Sequence, residues 1–432
     1  MDQSELGSRT MAKVSRHFIP ILLLMYIVNF LDRVNIGFAA LQMNRDLGLS
    51  PAQFGFAAGI LFIPYALAEV PSNLILVKVG ARIWISRIMI SWGIITVCHV
   101  FVYDMYSLNV MRFLLGLAEA GFSPGILLFL LYWFPARDRA KAFTLFLVGN
   151  PISVLLGAPI STSILGLDGV WGIAGWKWLF ILEGFPAVII GVLTLKWLTN
   201  SPEEAKWLKP DERVWLVETL AAETRAKHDE KFASWVYAFK HAPTLLCALA
   251  KLFILIAFFG ITLWLPQIVK AMGKESMTNL QVGLITAIPY VFSVVISLWV
   301  ARRSDRSGER TYHIAVPAFI GGAGFVLSIV TTSPYMQMVG LCIATAGIFT
   351  ANTILWAIPA SILSGTAAAV GFALINAVGN IGGFFGPYLT GLIRSLTQSF
   401  SWSLIMLGGF AVMCGLIVIF IAKRYMPSAR EG

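Results

Sequence analysis

Long apolar runs separated by short polar loops fill almost the whole sequence. Each run is long enough for one transmembrane helix, because a bilayer core of about 30 Å is crossed by about 20 helical residues. The runs fall six on each side of one charged segment and lie near residues 17–41, 53–77, 84–103, 107–133, 142–165, 177–198, 244–268, 279–301, 312–331, 335–358, 366–393 and 400–423. This pattern predicts an all-α membrane protein with twelve transmembrane helices in two six-helix halves.

The composition agrees with a chain that is solvated mostly by lipid. Of its 432 residues, 58% are hydrophobic and only 12% are charged, and the net charge is +10. A soluble domain carries charge on about a quarter of its residues, so these few charges cannot cover a water-exposed surface of this size. The excess of lysine and arginine does not indicate a nucleic-acid partner, because it falls in alternate loops rather than in one patch.

The basic residues predict how the helices cross the membrane. Lysine and arginine are concentrated in every second loop, and the side of the membrane that holds them is the cytoplasmic side. We therefore expect a multi-pass protein of the cell inner membrane with both termini in the cytoplasm. Two basic loops at the same place in each half indicate a six-plus-six repeat. They contain Lys78, Arg82 and Arg87 in the first half and Arg302, Arg303 and Arg306 in the second.

Asp305 lies among the arginines of the second basic loop. An acid between arginines at helix ends can hold neighbouring helices together on one side of the membrane, so Asp305 is a candidate gating residue. The first loop has Val79 where an acid would be needed. Membrane anchoring alone also explains the basic residues of that first loop.

Polar segments divide the chain into two halves, a linker and two tails. We expect a cytoplasmic N-terminal tail at 1–16, a first half at 17–198, a cytoplasmic linker at 199–242, a second half at 243–425 and a cytoplasmic C-terminal tail at 426–432. In the linker, Ser201 precedes Glu204 by three positions and Pro202 follows Ser201, a pattern typical of a capping box at the start of a helix. The linker is therefore expected to be partly helical and to lie on the membrane surface.

Four ionisable residues interrupt the apolar runs well inside them, where each one costs at least about 2.5 kcal/mol. They are Asp32 and Arg33 in the first run and Arg112 and Glu119 in the fourth. Asp32 and Arg33 point about 100° apart around a helix axis, whereas Arg112 and Glu119 share one face. Each therefore needs a partner on another helix, and the fourth run supplies one residue of each sign.

Such a cluster suits groups that bind and release protons. Desolvation favours a neutral carboxyl group and a nearby arginine favours the ionised one, so the two influences oppose each other. The alternative is a purely structural set of ion pairs, although burial often cancels what such pairs gain. Glu69 in the second run and Glu183 in the sixth are also embedded, and we interpret them as gating or packing groups. Lys251 lies near the inner end of the seventh run, where its side chain can reach the membrane surface.

The eleventh run combines glycines spaced by four positions with a proline and two amides. Pairs such as Gly382 and Gly386 allow two helix backbones to approach closely, and Pro387 permits bending. Asn376 and Asn380 add amide groups to a helix that otherwise has no reason to carry them. The run is therefore expected to pack tightly and to take part in the mechanism.

The sequence contains no convincing catalytic or metal-binding pattern. Residues 121–125 match the GxSxG pattern of hydrolases, but they lie inside a predicted membrane helix, whereas that motif requires a turn between a strand and a helix. The five histidines form neither a catalytic triad nor a metal-binding spacing, and a glycine-rich nucleotide-binding loop is absent. We therefore expect no enzyme activity, no metal ion and no cofactor.

Five segments together carry a family resemblance. They are LDRVNIGFAALQMNRDLGLS, YALAEVPSNLILVKVGARIW, RFLLGLAEAGFSPGILLFLLYWFPARDRAKA, GWKWLFILEGFPAVIIGVLTLKWLTNSPEEAKWL and ALINAVGNIGGFFGPYLTG. They resemble the anion:cation symporters of the major facilitator superfamily, over nearly the whole chain. Within that family the chain is most similar to the tartrate, phthalate and hydroxyphenylacetate permeases and less similar to the sugar-acid permeases. The resemblance implies the major facilitator fold and the import of organic acids with protons by alternating access.

The resemblance also implies roles for individual residues. Asp32 and Glu119 match the proton-binding acids of the family, and Arg33 and Arg112 match its functional arginines. The residues that match its cavity-lining positions are Tyr65, Asn150, Thr353, Trp356 and Asn376. The implied arrangement is a substrate carboxylate on Arg33, with Arg112 acting on Glu119.

Three positions depart from the sugar-acid members of that family. Phe30 stands where they have a tyrosine, Asn150 where they have a glutamine and Thr353 where they have a serine. The loss of a hydroxyl group about one turn from Arg33 makes a long polyol a poorer ligand. A tartrate-like hydroxy acid, or an aromatic acid such as phthalate, is the better fit.

The expected protein is thus a monomeric proton-coupled symporter whose partners are a small organic anion, protons and the lipid bilayer. Alternatives are an anion exchanger or a uniporter for the same substrates, a sugar-acid symporter, and a transporter-like sensor. The embedded carboxylates argue against a uniporter, because a uniporter needs no titratable pair. The short tails argue against a sensor, which would be expected to have a folded signalling extension.

Overall fold

The computed structural model describes residues 3–147, 149–226, 240–273, 277–362 and 365–426. In the first half the α-helices are α1 Gln3–Asp46, α2 Pro51–Ile60, α3 Phe62–Val79, α4 Ala81–Cys98, α5 Met105–Glu119, α6 Phe122–Trp133, α7 Ala136–Leu147, α8 Gly149–Ile164 and α9 Gly175–Trp197. After the linker helix α10, Pro210–Ala226, the second half contains α11 Ala242–Met272, α12 Asn279–Ser307, α13 Thr311–Val330, α14 Pro334–Ile354, α15 Ala357–Ile362, α16 Gly365–Thr397 and α17 Ser401–Tyr425.

The helices match the apolar runs of the sequence. Among the described residues, eleven helical segments are long and apolar enough to cross a membrane. The fifth run forms a shorter apolar helix at Ile152–Leu167. Together they confirm the predicted all-α membrane fold with twelve transmembrane helices.

The fourth and tenth membrane-crossing segments are each interrupted. The helix α5 ends at Glu119 and α6 begins at Phe122, while α14 ends at Ile354 and α15 begins at Ala357. The continuous membrane helix expected through 121–125 is therefore wrong, because Gly121 adopts a left-handed conformation with φ of +87°. These two interruptions fall in corresponding helices of the two halves, in keeping with the repeat seen in the basic loops. A further break at Leu61, between α2 and α3, has no counterpart in the continuous helix α12.

The first helix begins at Gln3, within the segment that the sequence analysis assigned to a tail, and its first turns contact the linker. Lys13 donates a hydrogen bond from Nζ to Glu212 on α10 at 3.0 Å. Arg9 donates to Asp211 at 3.0 Å and lies 3.2 Å from Glu212. Glu212 is buried between these two cations and anchors the linker helix to the first half.

The capping box predicted at Ser201 does not form. Pro202–Glu204 makes only a 3₁₀ turn, and the Ser201 side chain forms no capping hydrogen bond. The Glu204 amide donates instead to the backbone carbonyl oxygen of Ser201 at 3.2 Å, so the hydroxyl group has no free amide there to accept from. The helical part of the linker begins later, at Pro210.

The glycines of α16 allow it to lie directly against α11. A methyl group placed on Gly382 would lie 2.6 Å from the carbonyl oxygen of Leu252, and one on Gly386 would lie 2.9 Å from the amide nitrogen of Gly260. Both distances are shorter than van der Waals contact, so only glycine fits there. This is the close backbone approach that the spacing of the glycines predicts.

The two halves meet at the end of the molecule that carries the loop between α1 and α2. Asn44 donates a hydrogen bond to Gln267 across the halves at 3.2 Å. Nearby, the Ala52 amide donates to Ser395 Oγ at 2.9 Å. Side-chain and backbone polar groups of one half thus bond with those of the other at this end.

Burial raises the pKa of Glu212, but hydrogen bonds from the Lys209 amide and from Lys13 lower it, and the net pKa lies below the ordinary glutamate value. Ionised Glu212 therefore contributes stability that is present above the ordinary pKa and is lost as the pH falls through the lower pKa of the folded state. We expect Glu212→Gln to lower the free energy of unfolding by about 1–3 kcal/mol and to make the linker easier to cleave. Thermal unfolding in detergent and limited proteolysis measure both effects.

Asp211→Asn is the matched control, because the Asp211 side chain is half exposed while that of Glu212 is buried. We expect this variant to lose less than about 1 kcal/mol. Equal losses in the two variants would contradict the anchoring role of Glu212.

Candidate functional site

A buried ion pair between α1 and α5 forms the centre of the candidate site. Arg33 donates from Nε to Oε2 of Glu119 at 2.8 Å, and the two side chains are 9% and 0% exposed. The guanidinium carbon of Arg33 also lies 4.4 Å from the centre of the Tyr65 ring. Arg33 Nη2 and Glu119 Oε1 are buried without a hydrogen-bond partner. The pair therefore retains one free donor and one free acceptor.

The helix interruption puts Glu119 in this position. Glu119 is the last residue of α5, and the chain turns at Ala120 and Gly121 before α6 begins. A methyl group on Gly121 would lie 2.7 Å from Cβ of Ser72 on α3, so the turn has no room for a side chain. The left-handed backbone and this close approach explain why a glycine follows the acid so closely.

Asp32 points away from Arg33 into a separate network on the other side of α1. Thr96 of α4 donates to its Oδ2 at 2.8 Å, and Asn35 donates to its Oδ1 at 3.0 Å. Asp32 itself is fully buried. Asp32 and Arg33 thus point in different directions, as expected. Asp32 bonds with Thr96 of α4 and with Asn35 of its own helix, whereas Arg33 bonds with Glu119 of α5.

Arg112 is fully buried but does not bond directly with Glu119. Its Nε and Nη2 donate at 3.4 Å to the carbonyl oxygens of Ala57 and Ala58 on α2. It interacts electrostatically with Asp32 and with Glu119. The direct ionic partner of Glu119 is therefore Arg33, and Arg112 acts on both acids from a distance.

Glu69 links the two halves of the molecule at the level of the site. It lies one turn after Tyr65 on α3 and is 8% exposed. Its two carboxylate oxygens accept hydrogen bonds from Asn376 at 2.6 Å and from Asn380 at 3.1 Å, both on α16. This contact gives the two amides of the eleventh run a partner, and it joins residues that sequence reasoning kept in separate categories.

The other two candidate gating residues lie apart from the Arg33–Glu119 pair. Ser161 donates to Glu183 at 2.5 Å, and Asn35 contacts the same carboxyl group, which connects Glu183 with the network around Asp32. Asp305 pairs with Arg310 at 2.5 Å across the turn between α12 and α13. The gating roles of both acids remain predictions.

The cavity-lining residues predicted in the second half are only partly in contact with the site. Trp356 lies in the interruption between α14 and α15. Thr353 uses its hydroxyl group to donate to Phe349 of its own helix at 2.8 Å. In the first half, Asn150 lies against Tyr26, and its Oδ1 is buried without a partner. The contacts of these residues with a substrate remain predictions.

Lys251 is the residue that sequence reasoning misplaced. The expectation that it reaches the membrane surface is wrong, because it is 4% exposed. Its Nζ donates to Asn352 Oδ1 at 2.7 Å and lies 4.6 Å from the centre of the Trp356 ring. The signal that could have found it is its depth, since α11 begins at Ala242, nine residues earlier. At 1.5 Å per residue this is about 13 Å from the helix end.

The site offers no obvious metal ligands. Within the ranges that the structure describes, no three His, Cys, Asp or Glu side chains lie together in a way that could hold a metal ion. Its chemistry is therefore that of carboxylates, guanidinium and ammonium groups, amides and aromatic rings.

Comparison with known proteins gives the family. The family model of the Major Facilitator Superfamily matches residues 22–387 of this chain. Two proteins of Agrobacterium vitis, each named "Putative tartrate transporter", are 44% identical to this chain; one alignment covers 97% of this chain and 96% of that protein, and the other covers 99% and 94%. A "Quinolone resistance transporter" of Acinetobacter baumannii is 37% identical over 94% of this chain and 93% of that protein.

Solved structures with the same architecture are more distant in sequence. A bacterial homolog of the human lysosomal transporter Spinster, inward-facing and occupied, has a TM-score of 0.75 at 17% identity over 94% of this chain and 97% of that chain. The xylose transporter XylE from E. coli, partially occluded and inward open, has a TM-score of 0.74 at 14% identity over 97% and 99%. These similarities show the shared fold.

The turn at Gly121 yields a prediction about the site. We expect Gly121→Ala to lower the free energy of unfolding by at least about 1–2 kcal/mol, because an L side chain is strained at this φ and meets Ser72. The displaced turn also moves Glu119, so we expect the uptake rate to fall by more than the loss of folded protein alone would cause. Thermal unfolding in detergent and uptake into proteoliposomes test the two parts.

Gly409→Ala on α17 is the matched control, because a methyl group there has nothing within 4 Å. It should be neutral or stabilising by up to about 1 kcal/mol. A stable, active Gly121→Ala protein would show that the turn does not position Glu119.

Proposed function

The chain belongs to the major facilitator superfamily, and we propose that within it the protein is a proton-coupled symporter that imports a small organic carboxylate by alternating access. The observation that carries this proposal is the buried pair of Arg33 and Glu119, 2.8 Å apart. A guanidinium group that already holds one carboxylate can exchange it for another of the same chemistry. The two carboxylates therefore compete for one cation.

This competition provides the coupling. While Glu119 is ionised, it occupies Arg33 and keeps a substrate carboxylate out. A proton on Glu119 removes its negative charge and leaves the guanidinium group free for the substrate. Release of that proton on the other side of the membrane restores the pair of Arg33 and Glu119 and expels the substrate. Proton and substrate thus move in the same direction.

Asp32 is the second proton-binding acid of the proposal. Its carboxylate accepts from Thr96 and Asn35, both of which can also adjust to a protonated carboxyl group. Arg112 interacts electrostatically with Asp32 and Glu119, so protonation of either acid changes the charge that Arg112 experiences. This arrangement suits Arg112 to coordinate the two protonation events.

The remaining candidates are proposed to line the space around Arg33. The ring of Tyr65 packs against the guanidinium group of Arg33, and the hydrogen bond from Asn376 to Glu69 connects this region with the second half. The rest of the substrate is proposed to lie against these groups and against Trp356, Thr353 and Asn150. Glu69 serves as a gate, because opening the site toward α16 requires its two amide hydrogen bonds to break.

We infer the orientation of the protein from its basic loops. With both termini in the cytoplasm of the cell, the loop between α1 and α2 faces the periplasm. The hydrogen bonds from Asn44 to Gln267 and from Ala52 to Ser395 then lie on the outer side. This conformation is closed toward the periplasm, as expected for a monomeric importer of the inner membrane that is ready to release substrate inward.

A tartrate-like acid is the substrate that best fits these observations. The relatives from Agrobacterium vitis, at 44% identity over almost the full length, carry that substrate in their name. A short hydroxy acid also fits a site built from arginine and amides, because its carboxylate groups can bond with the guanidinium group and its hydroxyl groups with the amides. Phe30 stands where the sugar-acid permeases have a tyrosine, so a hydroxyl group that a longer polyol would need is missing about one turn from Arg33.

Uptake into proteoliposomes tests the proton coupling. We expect tartrate accumulation to require an inward proton gradient and a protonophore to abolish it. Glu119→Gln should lower net accumulation at least about tenfold while tartrate exchange remains, because a glutamine leaves Arg33 free but cannot release a proton. Accumulation at wild-type rates in this variant would remove Glu119 from the coupling mechanism.

Two controls accompany this measurement. Glu203→Gln makes the same substitution on the exposed linker and should change neither activity. Thermal unfolding of Glu119→Gln separates coupling from folding, because an unpaired buried arginine can cost about 3–5 kcal/mol. Loss of exchange together with folding would favour a purely structural ion pair.

The role of Arg33 is tested by Arg33→Lys. A lysine keeps the charge but loses the planar, bidentate geometry and the contact with the Tyr65 ring, so we expect tartrate affinity to fall at least about tenfold. Arg45→Lys on the same helix is the control, since the Arg45 side chain is 81% exposed. Equilibrium binding to the purified proteins is the measurement, and unchanged affinity in Arg33→Lys would move the substrate away from this residue.

A further inference from the structure

Lys251 is a buried cation that the proposed mechanism does not use. It lies on α11 in the second half, whereas Arg33, Asp32, Arg112 and Glu119 all lie in the first half. Only 4% of the residue is exposed, so it cannot reach water at the membrane surface. A charged group at this depth is expensive unless a function requires it.

The surroundings of Lys251 satisfy its polarity only in part. The ammonium group has three donors, and Asn352 Oδ1 accepts one of them at 2.7 Å. The Trp356 ring, 4.6 Å away, is the other partner that the structure gives. Among the ion pairs of the described residues, none brings a carboxylate within 4.0 Å of Lys251. Within the part of the chain that the structure describes, the partners of its charge are therefore one amide and one aromatic ring.

Lys251 lies beside the contact that joins the two halves. A methyl group on Gly379 would lie 2.6 Å from Cγ of Lys251, so α16 lies directly on the lysine side chain. Gly379 lies between Asn376 and Asn380, the two residues that bond with Glu69. Lys251 and Glu69 thus both pack against the same turn of α16.

Glu69 in turn leads back to Arg33. It follows Tyr65 by one turn of α3, and Tyr65 carries the guanidinium group of Arg33 on its ring. Two buried cations, one in each half, therefore adjoin the group of contacts that Glu69 forms, Arg33 through Tyr65 and Lys251 through Gly379 of α16. Each retains unused donors, Nη2 of Arg33 and the ammonium protons of Lys251 that Asn352 does not accept.

We propose that Lys251 binds a second carboxylate of the substrate, so that the transporter selects dicarboxylates over monocarboxylates. Arg33 holds one carboxylate and Lys251 the other, with Asn352 and Trp356 orienting the ammonium group. This inference rests on the proposed import of carboxylates and names their class. It also gives the substrate a contact in each half, so that closure around it depends on both carboxylates.

A matched pair of ligands tests the proposal on the purified full-length protein. L-Tartrate and its monoamide, tartramate, share one carbon skeleton and differ by one carboxylate. We expect the wild-type protein to bind tartrate at least about tenfold more tightly than tartramate, the usual effect of one charge-assisted contact. Phthalate and phthalamate form a second pair with an aromatic skeleton.

Substitutions assign the preference to the lysine. Lys251→Met keeps the length of the side chain and removes its charge, so the affinity ratio should fall to about one through weaker tartrate binding. Lys251→Arg keeps a cation and should retain most of the ratio. Lys270→Met makes the same substitution near the far end of α11 and should leave the ratio unchanged.

The outcomes separate this inference from the proposed function. Binding of both members of a pair with equal affinity by the wild-type protein would overturn the dicarboxylate assignment while leaving carboxylate transport in place. A ratio that survives in Lys251→Met would do the same. If Lys251→Met does not fold, the wild-type ratio and the Lys251→Arg variant still decide. Failure of all four ligands to bind would overturn both proposals.

Discussion

The buried pair of Arg33 and Glu119 is the interaction on which the rest of the site depends. Burying two opposite charges seldom gains stability, because desolvation offsets their attraction, and removal of one partner leaves an uncompensated charge. The structure nevertheless places the pair in the membrane-spanning region, with Glu119 fully buried. An exchangeable carboxylate accounts for this expense better than a structural bond does, since hydrophobic residues would hold the same helices together at lower cost.

The backbone around the pair is shaped to keep it in place. The left-handed turn at Gly121 ends α5 at Glu119, and the corresponding interruption of the tenth segment places Trp356 beside Lys251. In each half, a broken helix thus positions one side chain of the candidate site, Glu119 in the first half and Trp356 in the second. A helix end is a suitable place for this, because its last carbonyl and first amide groups are free to adjust when a neighbouring charge changes.

Much of the fold could be predicted from the sequence, because length and hydropathy are properties of each run by itself. The embedded charges Asp32, Arg33, Arg112 and Glu119 were identifiable for the same reason, since a charge inside an apolar run stands out without any knowledge of its neighbours. Their pairing was not predictable in this way. Whether Glu119 meets Arg33 or Arg112 depends on how α1 and α5 are rotated and packed, and periodicity does not specify that.

The errors have physical causes of the same kind. The interruption at Gly121 was hidden because hydropathy does not register a single left-handed residue; Pro124, in the first turn of α6, was the available signal. The position of Lys251 was misjudged because its burial depends on the helices packed against it, α16 at Gly379 and the segment that carries Asn352 and Trp356. In each case the sequence showed the residue, and local backbone geometry or helix packing decided what it contacts.

Under the proposed proton coupling, the distribution of charge in the site bears on how many protons accompany a substrate. Among the ionisable residues of this region, Glu119 and Glu69 carry two negative charges and Arg33 and Lys251 carry two positive ones, so these four residues are balanced when the site is empty. A dicarboxylate adds two negative charges, and moving an unbalanced charge through a closed, dehydrated site is costly. Glu119 and Asp32 are two acids, and one proton on each would restore the balance. A monocarboxylate would need only one. On this argument the number of protons is set by the charge of the substrate, and two buried acids in the first half together with a second buried cation in the other half fit a dianion better than a monoanion.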